Sequence, residues 1–176
     1  MRRAISGDGD AFGGLMARHR TAALRVATVV LGTVEGAEDV VQQATERAWR
    51  AVGTVDAERP FQPWFLRIVA NSARNQQRTR GRQARLALRV GGRRPSTDPG
   101  PEDAIVTESE RQQVVTAMNR LGPDDRLVIA LRYFEQFTER EMAETMGCPA
   151  GTVKSRLARA MSRLRHALTT DAMVTR

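Results

Sequence analysis

Five cations with no anion among them, Lys154, Arg156, Arg159, Arg163 and Arg165, crowd one short stretch, and no carboxylate lies between Lys154 and Thr170. An ordinary solvated helix intersperses signs to gain i,i+4 ion pairs, so a segment of one sign has given up that support for an external anion. The chemistry on offer is non-covalent. Guanidinium and ammonium groups grip phosphate oxygens, and with Ser155 and Thr152 they can reach base edges. Val153, Leu157, Ala160, Leu164 and Leu168 form an apolar stripe at helical spacing, opposite Thr152, Ser155, Arg156, Arg159, Arg163 and His166, so one face packs and the other is free. What must position this helix lies just ahead of it. Thr138 and Glu141 have the spacing of a capping box, Met142, Ala143 and Met146 give a short helix its inward face, and Gly147-Cys148-Pro149 stops it. Residues 138–168 therefore read as a helix-turn-helix whose second helix is built to lie against DNA. A plain helical hairpin with a solvated basic face is the alternative.

A second acid-free stretch strengthens the first reading. Residues 1–60 hold eight arginines against eight acids, 61–95 nine against none, and 96–176 eleven bases against twelve acids. The net charge of +8 and the pI near 11.3 favour a polyanionic partner, and the excess is local. Inside the basic stretch, Trp64, Phe65, Ile68 and Val69 predict a helix from about 63 to 80 whose far half, with Asn71, Arg74, Asn75, Arg78 and Arg80, is polar throughout. It is a candidate second nucleic-acid surface. The preceding loop, 53–63, contains a glycine and two prolines. Trp64 and Phe65 read as core, which leaves Phe61 as the aromatic free to stack on a base.

The remaining elements follow the same periodicity. One helix runs from Asp10, capped by its own carboxylate, to Leu31, where Gly32 ends it; a second runs from about Glu35 to Val52 with Val40, Val41, Ala44, Ala48 and Val52 on one stripe. Trp49 sits on the shoulder of that stripe, between a packing role and a partner contact. Gly91-Gly92 with Pro95, Pro99 and Pro101 marks a flexible linker over 90–103. Beyond it, helices 105–121 and 124–134 precede the helix-turn-helix, with Val114, Val115, Met118, Leu121, Leu127, Val128 and Leu131 as core candidates. The tail after Leu168 is expected to be disordered. The fold class is all-α: two small helical domains, 1–89 and 104–170.

Several function classes drop out. Cys148 is the one cysteine, so no intramolecular disulfide forms, and its place in the turn suits a plug between two helices. His19 and His166 are the only histidines, which leaves no metal-ligand cluster, and no cofactor is expected. No paired-carboxylate or phosphate-loop constellation is present, and Asp124-Asp125 read as helix-start acids, so an enzyme is not expected. With no leader-like or membrane-length apolar run, the expectation is a soluble cytoplasmic chain without membrane insertion.

Across nearly its whole length the chain resembles the extracytoplasmic-function (ECF) sigma factors, bacterial initiation subunits with only sigma domains two and four. GDGDAFGGLMARHR resembles the family's opening, GAEDVVQQATERAWRAV with PWFLRIVANSARNQQRTR resembles domain two, and LGPDDRLVIALRYFEQFTEREMAETMGCPAGTVKSRLARAMSRLR resembles domain four. The resemblance implies binding to core RNA polymerase, through the clamp of the largest subunit and the flap of the second, and an anti-sigma partner. It places Asp39, Gln42, Gln43, Thr45 and Trp49 at the clamp, with Gln43 where the family often has glutamate. It places Phe61, Asn71, Arg74, Asn75 and Arg78 at the minus-ten element, with Asn75 in place of a frequent aspartate. Thr152, Lys154, Ser155, Arg156, Arg159 and Arg163 fall at the minus-thirty-five element. The rival is a helix-turn-helix regulator that binds duplex DNA alone, without being a polymerase subunit.

Overall fold

A computed structural model describes the backbone of residues 1–89 and 107–174, with side chains over 1–83 and 111–170. Among these residues every regular element is helical. A one-turn helix α1 (Arg2–Ile5) leads into α2 (Gly9–Leu31). The cap of α2 is Asp8 rather than Asp10: its carboxylate accepts from the Ala11 backbone N–H at 2.9 Å, and Asp10 lies inside the first turn. That hydrogen bond, and then the Arg3 guanidinium, hold the Asp8 carboxyl below its usual range. Gly32 ends α2 in the left-handed conformation at φ 78°, as its position predicts.

Helix α3 (Ala37–Ala51) and a 3-10 turn (Val52–Thr54) precede α4 (Phe61–Arg89). α4 starts two residues before its expected Pro63 start and continues well past Gly81. One glycine costs only about 1 kcal/mol in a helix, and the Arg, Gln, Ala and Leu residues around it are good helix formers. Between α2, α3 and α4, Val26, Val30, Val40, Phe65, Leu66 and Val69 are fully or almost fully buried, and Ala44, Ala48, Ala70 and Ala73 at zero exposure let the backbones approach closely.

The second half comprises α5 (Thr107–Arg120), α6 (Pro123–Tyr133), α7 (Glu139–Met146) and α8 (Ala150–Val174). Leu121, Leu127, Val128 and Leu131 are core as expected, but Val114 and Val115 are 45% and 47% exposed. Their helix packs on α8 through Ala117 and the partly buried Met118 instead. The tail also departs from expectation, because α8 carries on through Thr169 and Thr170 to Val174, with both threonine hydroxyls bonded back to carbonyls one turn earlier. The 90–103 linker lies outside the described residues.

The two halves are docked, with α2 and α4 against α6 and α7, and their cores join in one buried cluster. Six consecutive residues of α6, Arg126 to Leu131, are buried. Arg126, 5% exposed, donates to the Val30 carbonyl at 2.6 Å, across the join and at the C-terminal end of α2. Glu135, whose side chain is 5% exposed, accepts from Arg25 at 2.8 Å and from Gln62 at 3.1 Å. The buried Thr145 hydroxyl lies 2.9 Å from the Glu141 carbonyl and 3.2 Å from that of Pro63.

Candidate nucleic-acid interface

The helix-turn-helix forms as its spacing demands. Thr138 accepts from the Glu141 backbone N–H while the Glu141 carboxylate accepts from that of Thr138, which closes the capping box. Gly147 takes φ 64°, and a Cβ there would lie 3.1 Å from the Arg67 guanidinium of the other half, so the turn is both left-handed and crowded. Met142 and Val153 are fully buried between the two helices, with Cys148 half-buried at the turn. The apolar face of α8 is thereby used up. Lys154, Ser155, Arg159, Arg163 and Arg165 are exposed on its other side, with Thr152 and Arg156 half-buried.

On α4 the alternation is equally sharp. Ser72 and Ala73 face inward, Ser72 accepting from Arg47 at 3.0 Å, while Asn71, Asn75 and Arg78 are exposed and Arg74 is half-buried. These four residues recur at i, i+3, i+4 and i+7, one helical face. They line a cleft of about 440 Å³ that Asp124, Met146 and Arg156 complete from the other half. Three arginines thus face a single carboxylate. Arg74 is committed to it: Nε donates to Asp124 at 2.8 Å, Nη2 lies 2.7 Å away, and Nη1 donates to Asn71 at 3.1 Å. The next acid, Asp125, accepts from Arg163 Nη1 of α8, within its own half of the chain.

Phe61 does not fit its expected role. It is 7% exposed, stacked on Phe65 at 5.7 Å and packed against Trp64 and His19. Opening α4 at the N-terminus, it points its ring into the helical core, where no base can reach it. Trp49 combines its two readings: the ring packs on Phe12 at 5.0 Å yet remains 42% exposed. With Asp39, Gln42 and Gln43 it forms an outward stripe on α3, whereas Thr45 is half-buried and bonds the Val41 carbonyl at 2.8 Å.

Two arginine-bearing faces, on α4 and α8, are therefore presented by the two docked helical halves. The sigma-70 region 2 family matches residues 15–83, which contain the first face, and the sigma-70 region 4 family matches residues 111–164, which contain the second. The RNA polymerase sigma factor CnrH of Cupriavidus metallidurans is 30% identical over 97% of this chain and 93% of its own. The chain belongs to the ECF sigma factors. The ECF sigma-E factor of Escherichia coli K12 is 33% identical over 91% of this chain and 87% of its own. Among solved structures, CnrH in complex with the cytosolic domain of CnrY superposes with a TM-score of 0.69 at 29% identity, covering 97% of this chain and 95% of that one. Sigma factor RpoE of Bartonella quintana, solved with the anti-sigma factor NepR, gives 0.71 at 27% identity, covering 92% and 98%. Like its relatives, this sigma factor is a transcription initiation factor that directs RNA polymerase to promoters.

Sequence reasoning missed two ion pairs made by these faces, Arg74 with Asp124 across the join and Arg163 with Asp125 inside the second half. Arg74 and Asp124 lie 50 positions apart, Arg163 and Asp125 38 apart, and nothing in local spacing announces either pair. The arginines read as DNA ligands and the acids as helix-start residues; the acids do open α6, and their pairing with the arginines is additional. Among the described residues no group of histidine, cysteine or carboxylate side chains could hold a metal ion, and no helix is long and apolar enough to cross a membrane.

Proposed function

We propose that residues 1–89 act as the polymerase-binding and minus-ten domain and 104–170 as the minus-thirty-five domain, joined by a 90–103 linker. The observation that carries this is the pair of arginine faces, one in each segment matched to a sigma region. On α3, the exposed stripe Asp39, Gln42, Gln43 and Trp49 meets the clamp of the largest polymerase subunit, with Thr45 at its edge. On α4, Asn71, Arg74, Asn75 and Arg78 follow the non-template strand of the minus-ten element by phosphate and base-edge contact. Phe61 has no part in this: the ring cluster holds it, and no wedge of aromatics is on hand to melt the duplex. The chain relies on capturing a base from a well-matched promoter.

On α8, Lys154, Ser155, Arg156 and Arg159 read the major groove of the minus-thirty-five element, with Thr152 and Arg163 on phosphate. The exposed apolar residues Val114 and Val115 of α5 supply a surface for the flap of the second polymerase subunit. An anti-sigma partner is supported by the two similar structures, each solved with such a protein or a cytosolic domain bound. The absence of a membrane-length helix among the described residues fits action in the cytoplasm.

Run-off transcription with bacterial core polymerase, with and without this protein, on a promoter library sequenced at transcript starts, tests the reading. The expected result is protein-dependent initiation at one two-part motif. Tight duplex binding by the protein alone with no initiation would overturn it in favour of a regulator.

A further inference from the structure

Charges do not balance in the cleft between α4 and α8. Its opening of about 440 Å³ takes Asn71, Arg74, Asn75 and Arg78 from α4 and Arg156 from α8, with Asp124 as its one carboxylate. Asp124 is occupied by Arg74, accepting from Nε at 2.8 Å with Nη2 at 2.7 Å, and Nη1 of the same guanidinium donates to Asn71 at 3.1 Å. That leaves the guanidinium groups of Arg78 and Arg156, on different helices, with no ion pair or hydrogen bond among the described residues. A cleft of this size falls within the roughly 300–1,000 Å³ of small-molecule sites. Apart from Met146, every side chain lining it is polar or charged, so it suits neither an apolar molecule nor a cation. Like charges around one opening repel, and an anion carrying two or more charges relieves both arginines at once.

We propose that this cleft binds short phosphate chains, diphosphate or triphosphate, free or attached to a nucleoside. The planar fork of a guanidinium matches a phosphate edge with two parallel hydrogen bonds. Arg78 and Arg156 approach from different helices, so a single phosphate turned toward one fork has few oxygens left for the other, whereas a chain offers each its own phosphate. The asparagines add neutral donors. Because the Asn71 oxygen already accepts from Arg74, its NH2 end is the part left to meet an anion, and the exposed Asn75 amide donates beside it. No aromatic ring lines the cleft to stack a base, so recognition rests on the phosphate chain alone. Binding itself does not depend on the sigma reading above, but its consequence does. That reading sets Arg78 and Arg156 against promoter DNA, so an occupied cleft and promoter-bound arginines exclude each other.

Isothermal titration calorimetry of the full chain at about 0.15 M salt tests the site, with sodium triphosphate, magnesium-free ATP and orthophosphate as probes. Triphosphate and ATP should bind one to one within about threefold of each other, and orthophosphate at least about tenfold more weakly. Arg78→Ala with Arg156→Ala should weaken triphosphate binding by about tenfold or more, as the loss of charge-assisted contacts implies. The control, Arg82→Ala with Arg165→Ala, removes the same charge from the same two helices outside the cleft and should stay within about twofold of wild type. Either single cleft variant, each expected to bind several times more weakly, replaces the double one should that lose helicity by circular dichroism. No saturable heat with triphosphate would overturn the proposal. So would an equal loss in the control, which would reduce the site to general attraction by a basic chain, or ATP binding far more tightly than bare triphosphate, which would mean a base is read. Neither polymerase nor promoter is present, so a failure here leaves the run-off result standing, while a failed run-off leaves the site and removes only the competition.

Discussion

Gly32→Ala probes the join at its tightest backbone position. At φ 78° an alanine pays roughly 1–2 kcal/mol for the left-handed geometry alone. Its Cβ would also sit 2.9 Å from the Arg126 Nη1 and 3.1 Å from the Asn119 Oδ1. The guanidinium must then retreat from the Val30 carbonyl, losing a charge-assisted bond of about 1.5–3 kcal/mol. Together these give roughly 2.5–5 kcal/mol in the wild-type background. With Arg126 already replaced by Met, only the backbone cost of about 1–2 kcal/mol should remain, so the two sites couple. The assay is urea unfolding followed by tryptophan fluorescence, which reports the N-terminal half because both tryptophans, Trp49 and Trp64, lie there. Equal costs of Gly32→Ala in the two backgrounds, to within about 0.5 kcal/mol, would show that Arg126 does not rest on this turn in solution.

Further outcomes are expected. Thr138→Ala breaks the capping box and should destabilise α7 by about 1 kcal/mol, lowering the thermal midpoint; an unchanged midpoint would mean the cap is idle. Burial, and then the Arg18 charge, push the His19 imidazole below its ordinary 6.5. The unfolded chain therefore binds a proton that the folded one refuses, so stability is complete above 6.5 and declines as pH falls from there through the folded pKa. His19→Gln should flatten that decline in a melting series, and an undiminished slope would assign it to another group. Arg159→Ala should cost the holoenzyme roughly 1–3 kcal/mol on its selected promoter and less on a scrambled one; equal losses would reduce Arg159 to a phosphate contact. Trp49→Ala should weaken core-polymerase binding in a competition assay without lowering the affinity of the free chain for DNA, and unchanged competition would remove α3 from the clamp.

How much of this was legible depends on the range of the interaction. The capping box, the left-handed Gly147 and the stripe on α8 are local, set within four residues, and the sequence spells them out. So too are the faces of α3 and α4. Helix ends were less readable: Asp8 and Asp10 are both competent caps by residue type, and it is Asp8 that accepts from the Ala11 N–H while Asp10 sits inside the first turn. The expected end near 80 falls short because the polar run beyond it carries no apolar stripe to signal a helix, whereas the good helix formers on both sides of Gly81 outweigh the cost of one glycine. Phe61 was misread because three aromatics lie within five residues and periodicity could not tell which of them the core would take. Val114 and Val115 show the converse, apolar residues at helical spacing left exposed because Ala117 supplies the closer packing. The docking of the halves was not legible at all, since its contacts join residues as far apart as Arg25 and Glu135.

The six buried residues in a row on α6 leave that stretch with no side toward water in the closed chain. Parting the halves must therefore wet aliphatic surface that a freestanding helical unit would never have hidden, with a positive heat-capacity change. The apolar share of the hold between the halves weakens on cooling, while the ion pairs do not share that dependence. Cooling therefore loosens the oily part of that hold first and leaves its charged part in place.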